Sequence, residues 1–181
     1  MTNSGKTMWA IDPSHSEIAF RVKHLMISNV KGVFKEFKGT VATAGEDLIA
    51  SEIEFSLNPA SIDTASPDRD AHLKSADFFD VENFKTITFK GSSVKKGTEA
   101  GTCVLTGNFT IKGITKPVRL DVEFGGTIKD PWGNEKSGYT ITGKINRKDW
   151  GLNWNAALET GGVLVSEEVT INCDVQLIKV A

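Results

Sequence analysis

Apolar and polar residues alternate with a period of two in one segment after another, and that commits this chain to half-buried β-strands. Ile18, Phe20 and Val22 share one face against Glu17, Ala19, Arg21 and Lys23. Ile49, Ser51, Ile53, Phe55 and Leu57 share another, followed by Cys103, Leu105, Gly107, Phe109 and Ile111. Val118, Leu120, Val122 and Phe124 continue the pattern, then Tyr139, Ile141, Gly143 and Ile145. Val169, Ile171, Cys173, Val175 and Leu177 close it. A long strand is expected over 30–43, with a bulge where the phase slips between Phe34 and Phe37, and a shorter one over 86–94. Composition agrees: 14 Val, 14 Ile and 17 Thr outweigh 13 Ala and 10 Leu, and side chains stiff at χ1 suit a pleated surface.

The punctuation is that of an antiparallel meander. Lys95-Lys96-Gly97, Gly113-Ile114-Thr115 and Asp130-Pro131-Trp132-Gly133-Asn134 each fall between apolar runs. One stretch reads as helix, from a Ser66 cap through Pro67, Asp68 and Asp70 to about Lys74, with a second turn over Asp77–Phe79. The expectation is an all-β chain, one domain over 1–181 with residues 1–8 flexible. Seven or eight strands and a short helical insertion make a closed barrel or a sandwich.

The charge pattern narrows the function classes. A net charge of −2, with both signs interspersed, offers no basic stripe for nucleic acid or an anionic membrane. The longest run free of charged residues, Ala100–Ile111, holds Gly, Thr and Asn; an integral membrane protein is not expected. The first residues carry no apolar signal core, so the expected location is cytoplasmic, or periplasmic if a leader has been removed. Cys103 and Cys173 lie on apolar strand faces and form no C-x-x-C pair, which reads as two buried, reduced thiols.

Four segments carry more detail than a barrel requires. Trp9, Ile11, Asp12, Pro13, His15 and Ser16 precede the Ile18-x-Phe20-x-Val22-Lys23-His24 strand. Asp68-Arg69-Asp70-x-His72-Leu73-Lys74-Ser75 leads into Asp77-Phe78-Phe79-Asp80. Leu105-Thr106-Gly107 runs to Ile111-Lys112-Gly113-Ile114-Thr115-Lys116-Pro117-Val118, and Arg147-Lys148-Asp149-Trp150-Gly151-Leu152 follows. Together and in this order they resemble the bacterial YceI-like family of polyisoprenoid-binding, lipocalin-like proteins, over nearly the whole chain. The resemblance implies a single elongated antiparallel β-barrel of about eight strands. Its interior would hold a polyprenyl lipid or an isoprenoid quinone, for transport or sequestration, and it suggests a homodimer. Two features depart from the family: Lys85 stands where proline is frequent, and the export signal of many members is missing.

The residues lead to a similar place unaided. An eight-stranded barrel is just wide enough to be filled by side chains or to hold one small ligand. Gly107 and Gly143 fall in phase with the apolar faces of their strands. They either mark bends in the sheet or face inward and leave a channel. Phe20, Val22, Phe55, Phe89, Phe109, Ile141, Trp150 and Trp154 are the expected wall, with both glycines among them. His15, His24 and His72, with Asp70, read as polar structure at the rim. The alternative is an enzyme using the three histidines with carboxylates, with or without a metal, although their spacing matches no metal motif. A ligand-free structural protein of the stress response is the other. The leading expectation is a carrier with no catalytic residue, no metal and no cofactor other than the bound lipid.

Overall fold

The computed structural model describes residues 6–44, 47–155 and 164–180, with the side chains of 47–51 outside that description. The described residues form eleven strands: β1 (Lys6–Ile11), β2 (Glu17–His24), β3 (Ser28–Phe34), β4 (Phe37–Ala44), β5 (Asp47–Leu57), β6 (Ile62–Asp63), β7 (Ile87–Lys96), β8 (Thr102–Ile111), β9 (Ile114–Lys129), β10 (Glu135–Asn146) and β11 (Val165–Lys179). The helix α1 spans Pro67–Lys74. The order β1-β4-β5-β7-β8-β9-β10-β11 closes on itself through a β1–β11 pairing. Every pairing is antiparallel, so the fold is an eight-stranded closed barrel rather than a sandwich. Closure removes the sheet edges that would otherwise invite aggregation.

Two staves of the barrel are broken, each for a local reason. At Pro13 the chain has no amide proton to continue a ladder, and the Asp12 carboxylate caps a short 3₁₀ turn by accepting from the Ser14 amide at 3.1 Å. The strand resumes as β2, which pairs with β11 and β3. The phase slip at Phe34–Phe37 is a full interruption at Lys35-Glu36. There the backbone leaves the sheet and bonds instead to Ser61: Lys35 N to the Ser61 carbonyl at 3.2 Å, Glu36 N to its hydroxyl at 3.0 Å. As a result β4 pairs with β5 while β3 pairs with the two-residue β6. The opening between them is covered by α1 and the turns that follow it.

Several expectations are corrected in detail. Lys6, Thr7 and Met8, expected to be flexible, pair with Ala44, Thr43 and Ala42; residues 1–5 lie outside the described residues, as do the side chains of Ile49 and Ser51. The β8–β9 hairpin turns on Lys112 and Gly113, both left-handed with φ of +52° and +73°. Ile114 and Thr115 already pair with Ile111 and Thr110, because two positive-φ residues suit the twist of the flanking strands. Ser66 gives α1 no side-chain cap. Instead Asp70 reaches back to accept from the Thr64 amide at 2.9 Å, tying the helix to the end of β6.

Inward faces of the strands form the core, with Phe34, Leu57, Ile87, Phe89, Leu105, Ile111, Leu120 and Trp150 all buried. A second cluster, Trp9, Val41, Cys173, Val175 and Leu177, packs where β1 closes the barrel. Cys103 and Cys173 stand in one transverse row, linked through Val122 and Ile141. Three strand spacings separate their backbones by about 14 Å, twice what a disulfide spans. Burial pushes the Cys173 thiol up to about 11, so it stays protonated.

Candidate functional site: an apolar cavity inside the barrel

The barrel is not packed solid. A cavity of about 550 Å³ runs inside it, within the ~300–1,000 Å³ of ligand pockets. Its wall is alkyl and aromatic along the strands, and it takes its few charged and imidazole groups chiefly from one end. Phe20 and Val22 on β2, Phe55 on β5, Phe89 on β7, Phe109 on β8, Ile141 on β10 and Trp154 all line it. Alternation puts them there: each sits in the inward phase of its strand, except Trp154, which follows the 3₁₀ turn after β10.

The other three expected wall residues are placed differently. A Cβ on Gly107 would run into the Phe89 ring and lie 2.6 Å from the Lys90 carbonyl oxygen. One on Gly143 would meet the Leu120 side chain at 2.6 Å. Each glycine lies beneath a large side chain from a neighbouring strand, so neither opens the channel. Gly32 lies beneath Phe20 in the same way. This is the packing device that covers strand glycines with an aromatic ring. Trp150, 2 % exposed, is core rather than wall. Its indole N–H donates to the Phe109 carbonyl at 2.9 Å, and its ring meets Phe109 edge-on at 5.7 Å.

One end of the cavity is polar. His24, Thr64, Asp68, Arg69, His72 and Arg147 line it there, beside Leu164 and Val165. Asp68 is exposed and His24, Arg69 and His72 are partly so, so this end of the cavity borders the surface; Thr40 and Glu54, the other exposed residues of its described lining, pair with each other on the outward phase of β4 and β5. His72 is held by Asp77, Nε2 to Oδ2 at 2.9 Å, and meets Phe78 and Trp154 edge-on at 5.1 and 4.6 Å. Arg147 is 3 % exposed. Its guanidinium donates to the carbonyls of Leu152 at 2.6 Å, Trp154 and Ser166 at 2.9 Å, and Val165 at 3.3 Å. Burial lowers its pKa, with Glu167 opposing, yet a guanidinium stays charged. It thereby fastens the segment after β10 to the start of β11, a role reserved in the sequence for no residue. Leu73, Phe78 and Phe79 also line the cavity from the insertion; the Phe78-Phe79 pair straight after a polar helix was the available signal.

The three histidines do not meet. His15 precedes β2 and His24 ends it, so roughly 25 Å of strand separates them. His15 belongs to a separate cluster at the far end, where Asp12 accepts from His15 Nδ1 at 2.7 Å and Lys136 Nζ at 3.3 Å. A metal or acid–base centre drawing on all three imidazoles therefore cannot assemble. Among the described residues no group of three or more His, Cys, Asp or Glu is disposed to hold a metal ion. Asp70 is bound to Thr64 and ties the insertion down rather than lining the cavity. Among those residues, too, no helix is long and apolar enough to cross a membrane.

Although burial raises its pKa, hydrogen bonds from Ser14, His15 and Lys136 hold Asp12 far below the usual carboxylate range. A depressed folded-state pKa means that the unfolded chain binds the proton more readily. The stabilisation is present above about pH 4 and is lost as pH falls toward the folded value. Asp12→Asn is expected to cost on the order of 1 kcal/mol at pH 7, and the gap from wild type should narrow steadily as pH falls below about 4. Urea midpoints measured across that range check it; a gap independent of pH would mean that the carboxylate charge contributes nothing.

The chain is a closed antiparallel barrel of the lipocalin-like kind around an apolar cavity, with the polar groups of the cavity wall gathered chiefly at one end. Residues 9–177 match the YceI-like domain, and the chain belongs to that family. It is 42 % identical over 164 residues to the UPF0312 protein SA2479 of Staphylococcus aureus, covering 90 % of this chain and 92 % of that one. Its fold matches the crystal structure of Burkholderia cenocepacia BcnA with a TM-score of 0.79 at 19 % identity, over 92 % and 98 % of the two chains. It also matches a polyisoprenoid binding domain from Saccharophagus degradans implicated in plant cell wall breakdown, with a TM-score of 0.66 at 13 % identity, over 95 % and 98 %.

Proposed function

We propose that this protein binds rather than catalyses, holding the tail of an isoprenoid lipid or isoprenoid quinone inside the barrel and carrying it through water. The observation that carries the reading is the apolar cavity of about 550 Å³. A wall of alkyl and aromatic groups selects for hydrocarbon, at about 0.8 kcal/mol per buried CH₂; ten buried carbons already correspond to roughly micromolar binding. Such a wall has no means of reading a hydrogen-bonding pattern, so specificity along the tail comes from length and girth. His24, Arg69 and His72 at the polar end suit the headgroup. The Saccharophagus degradans neighbour, described as polyisoprenoid binding, supports the choice of ligand class.

Organic extraction of the purified protein followed by mass spectrometry is the direct test, with an isoprenoid recovered in near-stoichiometric amount as the expected result. Ile141→Trp then fills the cavity from the wall. It should weaken uptake of a polyprenyl alcohol at least tenfold while the melting temperature stays within a few degrees, because the added ring enters empty space. Unchanged uptake by this variant would place the ligand outside the barrel and overturn the reading.

A further inference from the structure

We propose that the turn joining β2 to β3, Leu25-Met26-Ile27, is a wedge that inserts into a phospholipid bilayer and sets the mouth of the cavity against it. The inference rests on reading the barrel as a lipid carrier. Leu25, Met26 and Ile27 are 38 %, 51 % and 83 % exposed, three consecutive large apolar side chains at a hairpin tip. Their backbone is costly as well. Leu25 and Met26 both sit in the left-handed region, with φ of +55° and +62°. The Ile27 amide closes the turn on the His24 carbonyl at 3.2 Å; two left-handed central residues are a demand that Asn-Gly normally meets, and bulky residues there are strained. This tip therefore holds apolar residues at a conformational cost, where a polar pair would fold more easily.

Its position says what the exposed side chains face. His24, immediately before the turn, lines the cavity, as do Val22 and Val30 on its two arms. The Leu25 amide donates to the carbonyl of Leu164 at 2.8 Å, and Leu164 lines the mouth from the other side. A hydrocarbon tail leaving a bilayer would otherwise cross water to reach this opening. With a net charge of −2, attraction to anionic headgroups is not the driving force; apolar insertion into a neutral bilayer is. A second exposed apolar pair, Ile128 at 66 % and Trp132 at 83 %, lies toward the far end of the barrel, away from the mouth, and serves as the control.

The test is co-flotation with phosphatidylcholine vesicles. Wild type should float, and raising the salt should not release it. The triple variant Leu25→Asn, Met26→Gly, Ile27→Thr should lose roughly tenfold or more of its partitioning. It should keep or raise its melting temperature and still take up a polyprenyl alcohol delivered in ethanol. Ile27→Asp, at a position without backbone strain, should reproduce the loss, and Trp132→Ser should float as wild type does. Flotation of both tip variants at the wild-type level would overturn the proposal, and so would loss of flotation in Trp132→Ser. Flotation needs no cargo. A wild-type protein that takes up no lipid from ethanol would overturn the carrier reading, while the vesicle result would still decide the role of the tip.

Discussion

Trp150→Ala is expected to lose about 3–5 kcal/mol of stability, a fall in melting temperature of roughly 6–20 °C for a domain of this size. Trp150 is among the few side chains of the barrel that are fully buried. It follows β10 in a 3₁₀ turn, Arg147–Trp150, that ends on Gly151 at φ +75°. Beyond that glycine the chain turns back, so the indole is delivered into the barrel end by the turn rather than by strand alternation. Removing it takes the indole hydrogen bond from the Phe109 carbonyl and leaves a void beside Phe109. Trp150→Phe separates the two effects: it keeps most of the volume and loses the hydrogen bond, and should cost about 1–2 kcal/mol. Thermal unfolding followed by circular dichroism gives both values. An alanine variant within 1 kcal/mol of wild type would mean that the barrel end collapses onto the gap, and that Trp150 does not plug it.

What could be read in the sequence follows from which features are local. Alternation is local, so the inward faces of β2, β8, β10 and β11 were legible residue by residue, and Phe20, Val22, Phe55, Phe89, Phe109 and Ile141 stand where the period puts them. The helix was legible from Pro67 and its acidic first turn, although Ser66 does not do the capping. What a neighbouring strand does to a residue was not legible. Trp150 reads as wall because its indole could point either way until the turn is placed against Phe109. Nothing in the sequence near Arg147 announces the four carbonyls from two segments that converge on it. Gly107 and Gly143 read as gaps because nothing in their own strands says that Phe89 and Leu120 lie across them.

That last point makes Gly107→Phe decisive. If the glycine opened the channel, a phenyl ring would fill empty space, abolish lipid uptake and leave the barrel intact. The structure leads to the opposite result. The space over Gly107 already holds the Phe89 ring, itself buried, and a Cβ would stand 2.6 Å from the carbonyl oxygen of Lys90. A ring can swing aside; a carbonyl in a strand ladder moves only with its strand. Gly107→Phe should therefore cost more than the roughly 1–3 kcal/mol of ordinary overpacking, and the variant should express poorly or melt far below wild type. Gly107→Ala is the measurable form of the same clash, and should lose about 1–3 kcal/mol. Combining it with Phe89→Ala removes the ring but not the carbonyl, so the two losses should add to less than their sum, with a coupling of about 1 kcal/mol. Additive losses would show that the ring does not rest on the glycine. A Gly107→Phe protein that folds as wild type does and refuses lipid would return Gly107 to the cavity wall.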